Sequence, residues 1–298
     1  MLGLFRQGFQ RALCGFVPLG RVCRKESFMT IENEGRRIIT LTTDFGMRDY
    51  FVGAMKGVIY SIAPDARVVD ISHDITPQDI AHGAFTIRQV FPYYPEGSIH
   101  VGVVDPGVGT DRPIVAARYE GRYVVAPDNG LLTFLHHDLH VEALHYVEDR
   151  RFFLPGLSST FHGRDVMAPV AAHLAAGVAI KDLGRRVDRL EVLPLPHRAS
   201  LAGESLQGQG LFSDRFGNIV TNIWRDQVPG PVAADRMRVI VNGDDLGTIR
   251  NTFADAGPGE LAGLWGSAGA LEVVCNCGSA VSRLGQPTSV RVELVGYR

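Results

Sequence analysis

Apolar and polar positions change their period along this chain. From Ile38 onward, short β-branched runs alternate with amphipathic stretches: Ile38 to Thr42 reads as a strand and Tyr50 to Ile62 as a helix. Val68 to Ser72 is again a strand, Ile80 to Phe91 a helix and Ile99 to Val104 a strand. This β-α-β-α-β order predicts an α/β fold, an N-terminal domain with a largely parallel central sheet flanked by helices and ligands gathered beyond the carboxyl ends of its strands. Asp44 and Asp105 fall at two such ends. Ile114 to Tyr119 and Arg122 to Ala126, around Glu120 and Gly121, predict a hairpin. Val166 to Ala176 predicts a buried helix stopped by Gly177. Pro194, Pro196 and the polar run after His197 read as a linker, beyond which Val239 to Val241, Leu271 to Cys275 and Ser289 to Leu294 predict a smaller β-rich domain. The expected divisions are an arm over 1–37, an α/β catalytic domain over 38–193, a linker over 194–204 and a β-rich domain over 205–298.

Composition narrows the function. At 298 residues, 45% hydrophobic and 21% charged, the chain can bury two cores. Thirty basic against thirty-two acidic side chains leave a net charge of −2, so no global positive field favours a nucleic acid partner. No apolar run reaches the ~18 residues that a membrane-spanning helix needs. Cys14, Cys23, Cys275 and Cys277 are too few and too unevenly placed for a disulfide framework, and read as reduced thiols of a cytoplasmic protein. Cys275 and Cys277 would share one strand face, but without further zinc ligands nearby they read as core or sheet residues. Before Glu26 the chain carries Arg6, Arg11, Arg21, Arg24 and Lys25 and no acid. A transit-like segment competes there with a poorly ordered extension ahead of Met29, and the extension is the simpler account.

Dinucleotide-binding, P-loop and zincin motifs are missing, and Asp44-Phe45-Gly46 lacks the partner motifs of a kinase. His136 and His140 stand four apart, as ligands on one helix face would, yet with no accompanying glutamate base they read as a solvated helix end. Four segments mix acids, glycines and small polar groups: Thr42 to Gly46, Asp105 to Thr110, Phe161 to Asp165, and Asp214 to Asn218 running on to Asn222. Any one alone is an ordinary turn.

Together with Ala126-Pro127-Asp128-Asn129-Gly130 between them, these segments resemble, in order and spacing, the S-adenosyl-L-methionine hydroxide adenosyltransferases, or adenosine-forming S-adenosyl-L-methionine hydrolases, relatives of the fluorinating and chlorinating enzymes. The resemblance runs from about Ile38 to the C-terminus. It implies attack of water on the ribose C5′ of S-adenosyl-L-methionine, with adenosine and L-methionine as products and no metal or other cofactor. It places the family's catalytic triad on Asp105, Arg112 and His162. It implies that Asp44 accepts from the ribose hydroxyls, with capping of the following helix as its competing role. Phe216 and Asn218 would meet adenine, Asp214 the methionine ammonium, Ser267 the methionine carboxylate, and Glu272 would lie nearby. The family fold is a seven-stranded α/β domain joined to a β-rich domain, usually a homotrimer with the site between neighbouring subunits.

These residue types suit the chemistry. A sulfonium leaves as a neutral thioether and needs no general acid, so the side chains can be given to placing water. With an ordinary Asp near ~3.9 and His near ~6.5, His162 is the stronger base, which suggests that Asp105 holds water while His162 takes its proton. Asp105 and His162 stand where the halogenases carry apolar or aromatic groups and tyrosine, and the Arg118 to Gly121 connection lacks their long insertion. Ala268 and Gln78 replace an arginine and a ribose-packing aromatic of those relatives. The alternatives are a halide-dependent adenosyltransferase and a non-catalytic adenosine or S-adenosyl-L-methionine sensor.

Overall fold

The computed structural model describes residues 37–228 and 236–295. The arm over 1–36, with Cys14 and Cys23, lies outside the described residues. Alternating sequence becomes alternating layers: β1 (Ile38–Thr43), α1 (Phe51–Ile62), β2 (Arg67–Ser72), α2 (Ile80–Val90), β3 (Ile99–Val103), β4 (Ile114–Tyr119), β5 (Arg122–Pro127), α3 (Thr133–Asp138) and β6 (Val141–Tyr146). A π-helical turn, Gly163–Met167, runs into α4 (Ala168–Ala175). Gly177, just past α4, takes the left-handed φ of 101° that ends a helix without a Cβ penalty.

The six strands are ordered β2-β1-β3-β5-β4-β6. β2, β1, β3 and β5 pair in parallel, whereas β4 pairs antiparallel with both β5 and β6. The sheet is therefore mixed, parallel over four strands as expected and antiparallel at β4 and β6, and among the described residues it has six strands rather than seven. The hairpin joining β4 to β5 is the cause: Glu120 and Gly121 both adopt positive φ, the geometry of a tight two-residue turn, and such a turn can only join antiparallel neighbours.

Side chains of β1 and β3 alternate across the sheet. Ile39, Leu41, Ile99, Val101 and Val103 pack against Met55 and Ile59 of α1 and Val170 and Leu174 of α4. The opposite face is tighter: a Cβ on Gly102 would come within 2.6 Å of Ile87 and 2.9 Å of Leu131. There α2 and α3 join a core that also takes in Leu211, Phe212, Val220 and Trp224 from the C-terminal part of the chain.

The C-terminal strands are β7 (Ser200–Ala202), β8 (Ser205–Ser213), β9 (Ile219–Trp224), β10 (Arg238–Val241), β11 (Asp244–Thr248), β12 (Leu261–Trp265), β13 (Ala270–Cys275) and β14 (Arg291–Val295), with α5 (Ala280–Leu284) before β14. They form one antiparallel eight-stranded sheet. The run read as a linker contributes β7, and Pro196 and His197 are held by hydrogen bonds from Asn222 (2.7 Å) and the Trp224 indole (2.8 Å). Cys275 ends β13 buried, while exposed Cys277 turns at a φ of 55°, so the two do not share a strand face. His137 stacks on His197 at 3.8 Å, and α3 ends before His140, so no helix face joins His136 to His140.

Gly102→Ala should lower stability by about 1–3 kcal/mol through overpacking against Ile87 of α2 and Leu131. Thermal unfolding of the variant beside the parent measures it, and an unchanged midpoint would mean that this face is loosely packed.

Candidate active site

Strand register brings the two N-terminal acids together. β1 and β3 are parallel neighbours with Thr43 opposite Val103, so the chain leaves both strands at the same edge, where Asp44 follows directly and Asp105 comes one residue beyond Val104. They line one cavity of about 250 Å³ with Phe45, Gln78, Phe161 and His162.

Asp105 and Arg112 form a bidentate pair. Arg112 Nε donates to Oδ1 at 2.7 Å and Nη2 to Oδ2, with side chains only 5% and 9% exposed. So enclosed a pair retains its geometry, because separating the charges would leave each uncompensated. Arg112 Nη1 also donates to the Pro113 carbonyl at 3.3 Å, and Nη2 lies 3.1 Å from His162 Nδ1. A guanidinium can only donate, so Nδ1 is the acceptor and a neutral His162 carries its proton on Nε2. Burial, and next the Arg112 charge, hold His162 below the ordinary histidine value, which keeps it neutral at physiological pH. The nitrogen with the free lone pair thus faces Arg112. In this arrangement the neutral ring presents a donor, Nε2–H, rather than the free lone pair that the expected proton transfer from water would use.

Asp44 does not cap α1, whose N-cap is Tyr50 and whose first turn has no side-chain cap hydrogen bond. Its Oδ2 accepts instead from the Gln78 backbone N–H at 2.8 Å. Gln78 sits at a φ of 66°, third in a turn closed by Asp79 N–H to the Thr76 carbonyl at 2.9 Å. Pro77 before it is the sequence signal for such a turn, although its third place ordinarily goes to glycine or asparagine. Behind Asp44, Thr43 Oγ1 bonds His73 Nδ1 at 2.8 Å, and Gly46 N–H donates to the His73 carbonyl at 2.7 Å.

Two further residues of the flagged segments had no role assigned from the sequence. Buried Asp165 accepts from the Ser158 N–H at 2.8 Å and from the Arg164 guanidinium, fixing the loop that ends in His162. Gly109, at a φ of 82°, lies so close to that loop that a Cβ would stand 2.5 Å from the Ser159 carbonyl oxygen. The repeated Asp-Gly spelling flagged turns here but not which two turns touch.

Among the described residues, none of the C-terminal candidates lines the cavity. They form a second group. Asp214 and Asn218 stand in the turn joining β8 to β9, where Asp214 Oδ1 accepts from the Phe216 and Asn218 N–H groups and Oδ2 from the Asn218 amide, each at 2.9 Å. Asn218 is buried, and Phe216 at the tip is 77% exposed. Exposed Ser267 lies in the turn joining β12 to β13, next to Gly266, over which the Glu272 carboxylate packs. Burial, and then the neighbouring Asp214 charge, push Glu272 up to about 7. Asp214 also faces His82, whose ring stacks on Phe212 at 4.5 Å.

Comparison with known proteins shows the family of the chain. The descriptions "SAM hydroxide adenosyltransferase N-terminal domain" and "SAM hydroxide adenosyltransferase C-terminal domain" match residues 39–184 and 208–293. The chain belongs to this family. It is 39% identical over 266 residues to the (R)-S-adenosyl-L-methionine hydrolase of Thermus thermophilus, covering 87% of this chain and all of that one. It is 36% identical to the enzyme of the same name from Salinispora tropica, over 86% of this chain and 97% of the other. A fluorinase of an Actinoplanes species is more distant, at 30% identity over 75% of this chain and 85% of its own. A crystal structure of an uncharacterized conserved protein from Thermotoga maritima superposes with a TM-score of 0.78 at 33% identity, covering 87% of this chain and 99% of that one. Among the described residues, no three His, Cys, Asp or Glu side chains gather as a metal-binding group, and no helix is long and apolar enough to cross a membrane.

Gly109→Ala should push the Asp105 and His162 loops apart and lower turnover by about 10²-fold, the penalty typical of an ångström misplacement. Steady-state kinetics of the folded variant measure this, and parental turnover would show that the close approach is dispensable.

Proposed function

We propose that this protein hydrolyses S-adenosyl-L-methionine to adenosine and L-methionine. The reading is carried by one observation: Asp105, Arg112 and His162 form a single hydrogen-bonded group beside Asp44 at one cavity. The relatives at 39% and 36% identity support it, being named hydrolases of this substrate, while the fluorinase stands further away at 30%. Their names specify the (R) sulfonium form, and we infer the same form here.

In this reading Asp44 receives the ribose hydroxyls through the lone pairs left free by Gln78. Arg112 occupies one site on each Asp105 oxygen, and each oxygen keeps another with which to accept from water. His162 Nε2–H donates to the same water, so that a water lone pair points along the back of the C5′–S bond. The C5′–O bond forms as the C5′–S bond breaks, and its electron pair goes to sulfur, neutralising the sulfonium. The oxygen now bonded to carbon is a protonated alcohol, a strong acid that sheds its proton to solvent without a dedicated base. No step calls for a metal or redox group. Arg112 tempers the repulsion that Asp105 alone would exert on halide, so discrimination against halide rests more on the wet, hydrogen-bonding character of the site than on net charge.

A cavity of about 250 Å³ is small for the whole substrate. We infer that it takes the ribose and sulfonium, and that Phe216, Asn218, Asp214, Ser267 and Glu272 of a neighbouring subunit take adenine and the methionine end, as in a homotrimer. The 77% exposed Phe216 ring, unusual for so apolar a group, supports that assignment. The small-molecule substrate is then the partner that matters, in a protein expected to work in the cytoplasm. A sensor without turnover has nothing in its favour that the triad does not better explain.

Incubation with the separated sulfonium forms in ¹⁸O-water should yield adenosine labelled at the 5′-hydroxyl from the (R) form. Unlabelled adenosine, 5′-halo-adenosine in the presence of chloride or fluoride, or tight binding with no product would each overturn the proposal. Because His162 already titrates below its ordinary value, kcat should be flat from neutral pH upward. It should fall only on the acid side, where a protonated Nδ1 would face Arg112. A kcat that rises with pH through 7 to 8, and does so equally in a Glu272→Gln variant, would instead mark His162 as a base of raised pKa.

A further inference from the structure

The segment Ala126–Gly130 stands between the motifs of the site, yet the reaction above uses none of its side chains. β5 lies parallel to β3 with Val125 opposite Val101, so the chain leaving β5 passes beside Val104, the residue before Asp105. There the Asn129 amide donates from Nδ2 to the Val104 carbonyl at 2.9 Å, while its Oδ1 accepts from the Leu131 N–H at 3.2 Å. A carbonyl on one side and an N–H on the other fix the amide's orientation, since a flipped group would lose both bonds. One residue earlier, the Asp128 N–H donates to the Pro113 carbonyl at 2.9 Å. Val104 precedes Asp105 and Pro113 follows Arg112, so two successive residues grip the catalytic loop at both ends. The Pro113 carbonyl also receives Arg112 Nη1, which ties the guanidinium to the same grip.

The gripping segment is itself fastened. Asp128 Oδ1 accepts from the Glu191 N–H at 2.8 Å, and Thr133 Oγ1 donates to the Gly130 carbonyl at 2.6 Å while accepting from the Leu193 N–H at 2.9 Å. Gly130 adopts a φ of 98° with a Cβ position only 2.8 Å from the Leu193 side chain, so any other residue there would be strained.

We propose that Asn129 is a positioning residue for the hydrolysis, acting through the Val104 carbonyl to hold Asp105 and Arg112 in line with the bond that breaks. The ribose site at Asp44 hangs from β1 and its bonds to Gln78 and His73, none of which involves Asn129. Loss of the amide donor should therefore reach turnover and leave substrate binding nearly alone.

The inference rests on the hydrolase reading, and the test separates the two. Asn129→Asp keeps the side-chain shape and the acceptor for Leu131 but turns an oxygen toward the Val104 carbonyl. At pH 7.5, kcat for S-adenosyl-L-methionine should fall at least about 10-fold while KM stays within about threefold. As the pH is lowered, the new carboxyl protonates and its O–H can donate to the carbonyl, so kcat relative to the parent should recover. Should that chain fail to fold, Asn129→Ala should show the same split between kcat and KM, without the recovery. A variant that loses thermal stability but keeps the parental kcat, or one that loses kcat and KM together with no pH recovery, overturns the positioning role. A parent protein that forms no adenosine sinks both readings, whereas an active parent with equally active variants sinks only this one.

Discussion

The Arg112 pair with Asp105 organises the rest. Both side chains are almost fully enclosed, and two opposite charges taken that far out of water are tolerable only while they stay paired. That requirement fixes the carboxylate's orientation and occupies one lone pair on each oxygen. Through Nη2 it also dictates which nitrogen of His162 bears a proton. A loop of six residues between the partners, closed on itself by charge and at its base by Asn129 and Asp128, then behaves as one rigid piece. What the pair offers a water molecule is geometry more than basicity, which suits a leaving group that departs without a proton.

Rigidity of that kind has to be supplied from several elements. β1 and β3 deliver Asp44 and Asp105 to one edge, and the π-helical turn before α4 delivers His162, with Asp165 pinning its loop. Gly109 lets the two loops touch. The register of β1 with β3 and the approach of Gly109 to Ser159 join segments distant in sequence, so the site's geometry inherits the stability of the mixed sheet and of the core on both its faces. The C-terminal sheet shares the second of those cores, and His82 stacked on Phe212 marks the seam where the Asp214 group meets the N-terminal layer.

The order of elements was legible before any coordinates, because periods of 2.0 and 3.6 are local properties of a sequence. So were the hairpin at Glu120 and Gly121 and the end of α4 at Gly177, where short-range turn chemistry decides the backbone. The mixed direction of the sheet was less legible. A two-residue turn announces an antiparallel pair, but where that pair inserts into a sheet depends on packing elsewhere. The run over 194–204 looked like a linker because proline and polar residues dominate it. It gained a strand because β8 offered it an edge and Asn222 and Trp224 offered it donors.

By itself the sequence determined which chemistry-bearing residues are present, the approximate strand ends on which the acids sit, and the family pattern that joins Asp105, Arg112 and His162. Only the tertiary structure decided that Arg112 takes both oxygens of Asp105, that His162 turns its free nitrogen toward Arg112, and that Asp44 is held by the backbone of Gln78 rather than capping a helix. It alone gave Asn129 a partner 25 residues away. The reason is that a hydrogen bond depends on distance and direction in space, and residues far apart in the chain acquire these only when the sheet sets their strands side by side.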